Sequence, residues 1–282
     1  MRIVSFGSLN VDVTVRVPHL PAADETLHVH GVQQFLGGKG ANQAVAAARL
    51  GAEVAMVGSI GSDPQGDTVL RGMIRHGIDL SQIRRVDGAT GTAIPIVTDS
   101  GEVSILVAAG ANAATDASQA DAARDLITRA DVLLIQGEVP GVAAGRAAAI
   151  ASEADTVVIF NPAPVNDVVE HVMGHATIVV ANQVEAAEIQ GRMKGQDLIV
   201  TLGARGARVN GTDVAGFPAQ TVDPTGAGDA FAGALAVAAS EGSSLEDMVR
   251  FANAAGSCAV EVPGAEPSMP SRDQVTARMN HR

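Results

Sequence analysis

Apolar positions along this chain fall into two kinds of pattern. Short continuous runs at 2–6, 54–57, 132–135, 156–160, 177–180 and 197–201 have the length of buried strands. Between them lie stretches of helix length. Residues 41–50 and 66–76 are each closed by a glycine, Gly51 and Gly77, as helix C-termini often are. Further helices are predicted over 116–129, with Asp116 near the start, and over 142–154, 230–239 and 245–260, followed by a peripheral helix beyond Pro270. Strands alternating with helices predict an α/β fold: a mostly parallel sheet with helices on both faces.

Two excursions break the alternation. In 11–35, Val13, Val15 and Val17 alternate with polar residues, Pro18 and Pro21 interrupt, and Leu27, Val29 and Val32 resume imperfectly. That is the pattern of a half-exposed sheet. Residues 92–97 and 102–107 flank Asp99-Ser100-Gly101, a hairpin signal. Pairing the two excursions gives a small β-sheet lid from 11–35 and 91–112, on a core made of 1–10, 36–90 and 113–282. A third, short hairpin is predicted over 204–217 around Asn210-Gly211. No internal repeat or low-complexity linker separates independent domains.

Composition narrows the function. With 46% hydrophobic and 18% charged residues the 282-residue chain reads as globular, and with six Phe and no Trp or Tyr its core must be aliphatic and alanine-rich. A formal net charge of −12 argues against nucleic acid or an anionic membrane as partner. Any phosphate ligand must then be held locally, by amides, a metal ion or a few Lys and Arg. The single cysteine, Cys258, excludes a disulfide framework and fits a reducing, cytoplasmic compartment. It lies in an alanine-rich run, where a buried structural cysteine is favoured over a catalytic thiol. The first residues are too short in apolar character for a signal peptide, and no run approaches the ~20 apolar residues of a membrane helix.

The most informative stretch is Asp223-Pro-Thr-Gly-Ala-Gly-Asp229. Gly226 and Gly228 permit a tight turn with uncovered amides, and a helix follows, which makes an anion site. A carboxylate there would repel the anion unless it serves as a proton acceptor, a combination that suits phosphoryl transfer to a hydroxyl. An ordinary glycine-rich loop before a helix gives the same letters. Polar residues also follow the predicted strands: Asn10 and Asp12, then Gln136-Gly137-Glu138, Asn161-Pro162-Ala163-Pro164, Asn182 with Glu185, and Thr201 with Gly203 and Gly206. In a parallel sheet these share one edge, where ligands bind.

Asn10 and Asp12, two apart, face the same way in an extended segment and suit vicinal hydroxyls. Lys39, between glycines at a helix start, is either a solvated first-turn lysine or a ligand for an anion or sugar oxygen; the helix dipole disfavours a cation there without a function. Asn182 and Glu185 fit either a hydrated Mg²⁺ or phosphate site or a plain capping box. The pairs His171/His175 and His28/His30 lack further metal ligands. Gly37-Gly-Lys-Gly40 is not a P-loop, and no Gly-x-Gly-x-x-Gly follows a strand, which weakens a dehydrogenase assignment.

With these residues in place, the chain resembles the ribokinase-like (PfkB) family of carbohydrate kinases nearly end to end. Gly7-Ser-Leu-Asn-Val-Asp12 and Gly37-Gly-Lys-Gly-Ala-Asn-Gln43 are similar to its N-terminal sugar motif, and 223–229 to its C-terminal motif. The resemblance implies a Rossmann-like core with a β lid that often serves as a dimer clasp, here a homodimer. It also implies transfer of the ATP γ-phosphoryl to the 5-hydroxyl of D-ribose. Asp229 would be the base, and the Gly226, Ala227 and Gly228 amides the anion hole. Asn10, Asp12, Gly38, Lys39, Asn42 and Glu138 match sugar-contacting positions. Asn182 and Glu185 match the Mg²⁺ and phosphate-ordering motif, with Glu185 acting on Mg²⁺ through water. Thr201, Gly203, Gly206, Gly228 and Asn253 match positions near the nucleotide. Asp223, Thr225, Ala259, Val262, Gly264 and Ser268 match a loop pair that binds a monovalent cation, usually K⁺, mostly through carbonyls.

Two departures stand out: the segment between Glu185 and Thr201 is short for the family, and the 204–217 hairpin is trimmed. The scarcity of aromatics implies an adenine gripped by aliphatic surfaces and argues against a nucleoside acceptor. The alternatives are another sugar or nucleoside kinase of the family, a non-catalytic sugar-binding or regulatory protein on the same fold and, more distantly, a nicotinamide dehydrogenase.

Overall fold

A computed structural model describes residues 1–280. The strands are β1 (Arg2–Phe6), β2 (Asn10–Val17), β3 (Gly31–Gly37), β4 (Glu53–Gly61), β5 (Asp79–Val86), β6 (Gly91–Thr98), β7 (Val103–Ala108), β8 (Val132–Gln136), β9 (Val157–Asn161), β10 (Ile178–Asn182), β11 (Asp197–Thr201), β12 (Gly206–Val209) and β13 (Thr212–Ala215). The helices are α1 (Lys39–Arg49), α2 (Pro64–Arg75), α3 (Ala117–Ala122), α4 (Arg124–Arg129), α5 (Gly141–Glu153), α6 (Val168–Val172), α7 (Gln183–Ile189), α8 (Ala227–Ser240), α9 (Leu245–Ala259), α10 (Ala265–Ser268) and α11 (Arg272–Asn280).

Nine strands form one sheet in the order β13-β12-β11-β10-β9-β8-β1-β4-β5. From β11 to β5 every pairing is parallel. Only β12 and β13 run antiparallel, closing one end as a hairpin around Asn210 and Gly211, both at positive φ. The two faces bury different residues because side chains alternate along a strand. Ile3 and Leu134 join Val45 of α1, Leu235 of α8 and Val249 of α9 on one face. Val4, Leu133 and Ile135 join Ile150 of α5 and Val172 of α6 on the other. Alanine dominates the inward sides of α1, α5 and α8, so these helices approach closely without large side chains. Among the described residues no helix is long and apolar enough to cross a membrane.

A second sheet, in the order β3-β2-β6-β7, uses segments 10–37 and 91–108. β2 pairs parallel with β6, while β2–β3 and β6–β7 are antiparallel. Asn10 therefore begins a strand of the small sheet, directly after the loop that leaves β1.

Four local expectations change. The 116–129 segment is two helices, because the Leu126 and Ile127 amides both bond the Ala123 carbonyl and tighten the chain there. β4 runs on to Gly61 through buried small residues that the apolar run 54–57 does not include. β5 has no strong apolar signature, since an edge strand pairs on one side and shows polar residues to water. Cys258 is half-buried rather than buried, and burial raises its thiol pKa.

Candidate active site

The site begins where β1 leaves the sheet. β1 is flanked by β8 on one side and β4 on the other, so the chain order switches direction there and a crevice opens beyond the strand ends. Ser8 Oγ bridges the crevice to Glu138 Oε2 at 2.5 Å, and the Lys39 amide donates to the same oxygen at 3.0 Å. Gly38, at φ 88°, precedes α1, and a Cβ there would lie 2.9 Å from the Asn10 nitrogen. The bare glycine thus lets the α1 N-terminus close against β2.

Asn10 is buried, its Oδ1 accepting from Asn112 Nδ2 at 2.7 Å, while Asn112 Oδ1 accepts from the Leu9 amide. Two residues on, Asp12 Oδ1 is shut off from solvent and has no hydrogen-bond partner. A Cβ on Gly37 would lie 2.0 Å from that oxygen, so glycine is what leaves room for the carboxylate. Burial, then the carboxylates of Glu138 and Asp229, push the Asp12 pKa up to about 7, with Lys39 opposing them. Burial pulls the Lys39 ammonium down, but Asp229, Glu138, Glu185 and Asp12 together outweigh it and hold the pKa above the ordinary lysine value. One cation is therefore shared among four carboxylates.

Asp229 sits in the first turn of α8 and is 7% exposed. Asn42 Nδ2 donates to its Oδ2 and Gln43 Nε2 to its Oδ1, each at 3.0 Å. Burial raises the Asp229 pKa against Lys39 and these two amides, which favour the ionised form. The net effect is a carboxyl group whose pKa lies above the ordinary aspartate value. Asn42 Oδ1, like Asp12 Oδ1, is buried without a partner.

Gly226 caps α8 in the left-handed conformation, φ 81°, and a Cβ there would meet the Ala265 Cα at 2.8 Å. A cavity of about 180 Å³ lies over this helix N-terminus, lined by Lys39, Asn161, Asn182, Glu185, Thr201, Gly226, Gly228 and Asp229 among others. The Ala227 amide instead donates to Pro224 O at 3.2 Å, in the turn that enters the helix. Ala227 lines a second cavity of about 590 Å³, which shares Thr201 and Gly228 with the first. Gly203, Gly206, Phe217, Phe231, Asn253 and Val260 also line it, so the cleft is apolar but not, as expected, purely aliphatic, because two of the chain's six phenylalanines meet there. Asn253 has a structural task as well: its Nδ2 donates to the carbonyls of Val214 and Ala215 and fixes α9 against β13.

Asn182 and Glu185 form the capping box of α7, with Asn182 Oδ1 accepting from the Val184 and Glu185 amides and Glu185 Oε2 accepting from the Asn182 amide. Both also line the smaller cavity, so capping the helix leaves the pair at the cavity wall. The short 186–196 segment holds only the rest of α7 and one 3₁₀ turn, and residues 190–196 reach neither cavity.

The loop pair at 223–225 and 259–268 is stitched together. The amides of Val222 and Asp223 donate to Val260 O. Asp223 accepts from the Thr225 amide through Oδ1 and from the Gly264 amide through Oδ2, both at 2.9 Å. The buried Ser268 hydroxyl donates to Ala265 O. The acidic side chain here joins the two loops. Among the described residues no group of three or more His, Cys, Asp and Glu could hold a metal ion.

Ser8, Gln43, Asn112 and Gln136 are polar residues of the site that motif spacing did not assign. Asn112 lies 102 positions from the Asn10 it orients, and no local pattern joins them. The nearest signal was Gln43 inside the glycine motif and Gln136 at a strand end.

The profile of the family described as pfkB family carbohydrate kinase matches residues 1–272. The chain is 35% identical over 285 residues to the ribokinase of Bacillus subtilis, covering 97% of both proteins. It is similar in structure to the ribokinase of Thermotoga maritima, with a TM-score of 0.90, 30% identity and 100% and 99% of the two chains covered. It is similar also to the Arabidopsis thaliana ribokinase complexed with ribose and ATP, with a TM-score of 0.88, 31% identity and the same coverage. The motifs, the sheet topology and these relatives agree, and the chain belongs to the pfkB family of carbohydrate kinases.

Proposed function

We propose that the chain is a ribokinase, transferring the γ-phosphoryl group of ATP to the 5-hydroxyl of D-ribose. The observation that carries this reading is a pair of buried acceptor oxygens without partners, Asp12 Oδ1 and Asn42 Oδ1, in the electrostatic neighbourhood of Asp229. A buried acceptor left unpaired is costly, so the missing partner is a donor, and a polyol supplies several hydroxyl donors at once. The ribokinases among its relatives, one described with ribose and ATP, favour ribose over other polyols.

In this reading Asn10, Asp12, Gly38, Lys39, Asn42 and Glu138 surround the sugar. Asp229 accepts the proton of the attacking hydroxyl while its oxygen bonds the γ-phosphorus and the bond to the leaving β-phosphate oxygen breaks. The Gly226 and Gly228 amides and the α8 dipole steady charge on the transferring group, and Ala227 contributes less because its amide is already bonded. Adenine lies in the apolar cleft by Gly203, Gly206, Phe217, Phe231 and Asn253, which Thr201 also lines. Glu185 keeps one carboxylate oxygen outside the capping box and orders hydrated Mg²⁺, which when bound neutralises phosphate charge. Carbonyls around Thr225, Ala259, Val262, Gly264 and Ser268 suit K⁺, with Asp223 holding the loops in place.

The test is a panel of ribose, deoxyribose, fructose, 2-keto-3-deoxygluconate and nucleosides with ATP, run in K⁺ and in Na⁺. Ribose should give the highest kcat/KM, and K⁺ should raise the rate. A better acceptor than ribose overturns the substrate, equal rates in both cations remove the K⁺ site, and sugar binding without turnover points to a non-catalytic protein.

β7, an edge strand of the small sheet, exposes Val103, Ile105 and Val107 on one face and Leu106 on the other, each more than half accessible. Contiguous apolar surface of this kind marks an interaction site, and a second copy of the chain is the proposed occupant, making the small sheet both lid and dimer clasp. Sedimentation as a monomer at micromolar concentration would remove this assignment.

A further inference from the structure

Behind Asp229 runs a chain of amides from Gln43 and Gln136, both fully buried, to Asn161, which is half-buried and lines the smaller cavity. Gln43 is fully buried and donates from Nε2 to Asp229 Oδ1 at 3.0 Å and to Asn161 Oδ1 at 3.2 Å. Its Oε1 accepts from Gln136 Nε2 at 2.8 Å, and Gln136 is also fully buried. Asn161 Nδ2 in turn donates to Val180 O at 2.8 Å.

The polarity of this chain is forced from both ends. A backbone carbonyl can only accept, so Asn161 must turn its NH₂ to Val180 and its oxygen to Gln43. An ionised carboxylate also only accepts, so Gln43 must give both hydrogens of its amide. Gln136 supplies the donor that the remaining Gln43 oxygen needs. Gln136 Oε1 is left buried without a partner, yet turning any one of these amides would set oxygen against oxygen or NH₂ against NH₂.

Packing leaves little freedom as well. Gln136 Oε1 occupies the space a Cβ on Gly7 would take, at 1.9 Å. α1 and α8 meet at Gly233, where a Cβ would come within 2.5 Å of Ala46 Cβ and 2.8 Å of Gln43 O. That approach, one turn beyond Asp229, brings Asn42 and Gln43 within reach of the same carboxylate. The two are consecutive on a helix and point about 100° apart, so only the longer glutamine can reach round to the second oxygen.

We propose that Gln43 is a positioning residue for the phosphoryl-transfer reaction: locked by Gln136 and Asn161, it holds the Asp229 carboxylate ionised and in one orientation toward the acceptor hydroxyl. The inference rests on the reading of Asp229 as the base. Lys39 and Glu138, from α1 and the loop after β8, also bear on Asp229, and Asp12 on β2 is within electrostatic range. The loss of one donor therefore adds to a field that these groups leave unchanged.

The experiment compares Gln43→Met, Gln43→Glu and Asp229→Asn, with kcat measured across pH under saturating ribose and ATP. Gln43→Met keeps the volume and removes the donor. Its kcat should fall roughly 10- to 100-fold through lost orientation, with the ribose KM within about a factor of three, the span of ordinary context effects. The acid limb of kcat should move to higher pH by about a unit, because one bond to the ionised form is gone. In Gln43→Glu a second carboxyl faces Asp229, and the limb should move further in the same direction. An unmoved limb in both variants overturns the proposal, even with lowered kcat, since a purely structural role leaves the limb in place. Should Gln43→Met fail to fold, the near-isosteric Gln43→Glu carries the same test. Turnover retained by Asp229→Asn sinks the base assignment itself, whereas an inactive Asp229→Asn beside an unmoved Gln43 limb sinks only the positioning role.

Discussion

Asp229→Asn should lower kcat by about 10²–10⁴-fold, the usual contribution of a positioned general base, while the KM for sugar stays within a few-fold. The carboxylate is buried and bonded through both oxygens by amides that orient it without taking its proton-accepting capacity. An asparagine fills the same space but cannot accept a proton, and it leaves one of the two amide donors facing another NH₂. The sugar-binding oxygens on β2 and α1 are untouched, so affinity should persist. Folding should persist too, because neutralising a buried charge removes its desolvation cost and offsets the lost hydrogen bond. Steady-state kinetics with both substrates saturating, beside a thermal melt, decide the matter. A kcat within tenfold of the parent enzyme would mean that the hydroxyl proton goes elsewhere.

Asp12→Ala should raise the ribose KM by about 10²-fold or more, with a smaller change in kcat. A hydrogen bond to a charged acceptor contributes about 1.5–3 kcal/mol, and two such bonds to vicinal hydroxyls account for that factor. The effect has a pH signature. Burial and the neighbouring carboxylates raise the Asp12 pKa to about 7, so the free enzyme carries a mixture of acid and carboxylate at neutrality. Below about pH 7 the protonated form dominates, one acceptor is lost, and kcat/KM for ribose should fall about tenfold per unit as the carboxylate fraction falls. Above about pH 7 the carboxylate predominates, and the limb flattens as its ionisation approaches completion roughly a unit higher. In Asp12→Asn the limb near 7 should vanish, and any acid limb that remains belongs to Asp229. A kcat/KM profile identical in the parent and in Asp12→Asn contradicts the proposed contact.

The two predictions differ in how far their residues could be read in one dimension. Asp229 follows a glycine turn and opens a helix, so its neighbourhood is local and visible in seven consecutive letters. Asp12 shares a strand face with Asn10, again a local relation. Its shifted pKa depends on Glu138 and Asp229, which lie 126 and 217 positions away in the chain and which no periodicity connects to it. The Asn182/Glu185 spacing left two meanings open; the structure shows the capping box of α7 and places the pair at the smaller cavity.

What the sequence by itself determined is the architecture and the chemical vocabulary. Short apolar runs alternating with helix-length stretches require a parallel sheet covered on both faces, because only that arrangement buries strands with no polar side. Glycines 37, 38 and 226 mark where backbone must turn tightly or approach closely, whereas Gly228 lies inside α8 with open space around it. Only the tertiary structure decided which polar groups meet. The parallel register sets Gln136 beside Asn161 and Asn182 beside Thr201. Close packing of α1 on α8 at Gly233 brings Asn42 and Gln43 to one carboxylate, and the small sheet brings Asp12 within electrostatic range of it. The two amide contacts to Asp229 join residues 187 and 186 positions apart. Their existence depends on three-dimensional packing and burial, which local letters constrain only through the fold they build.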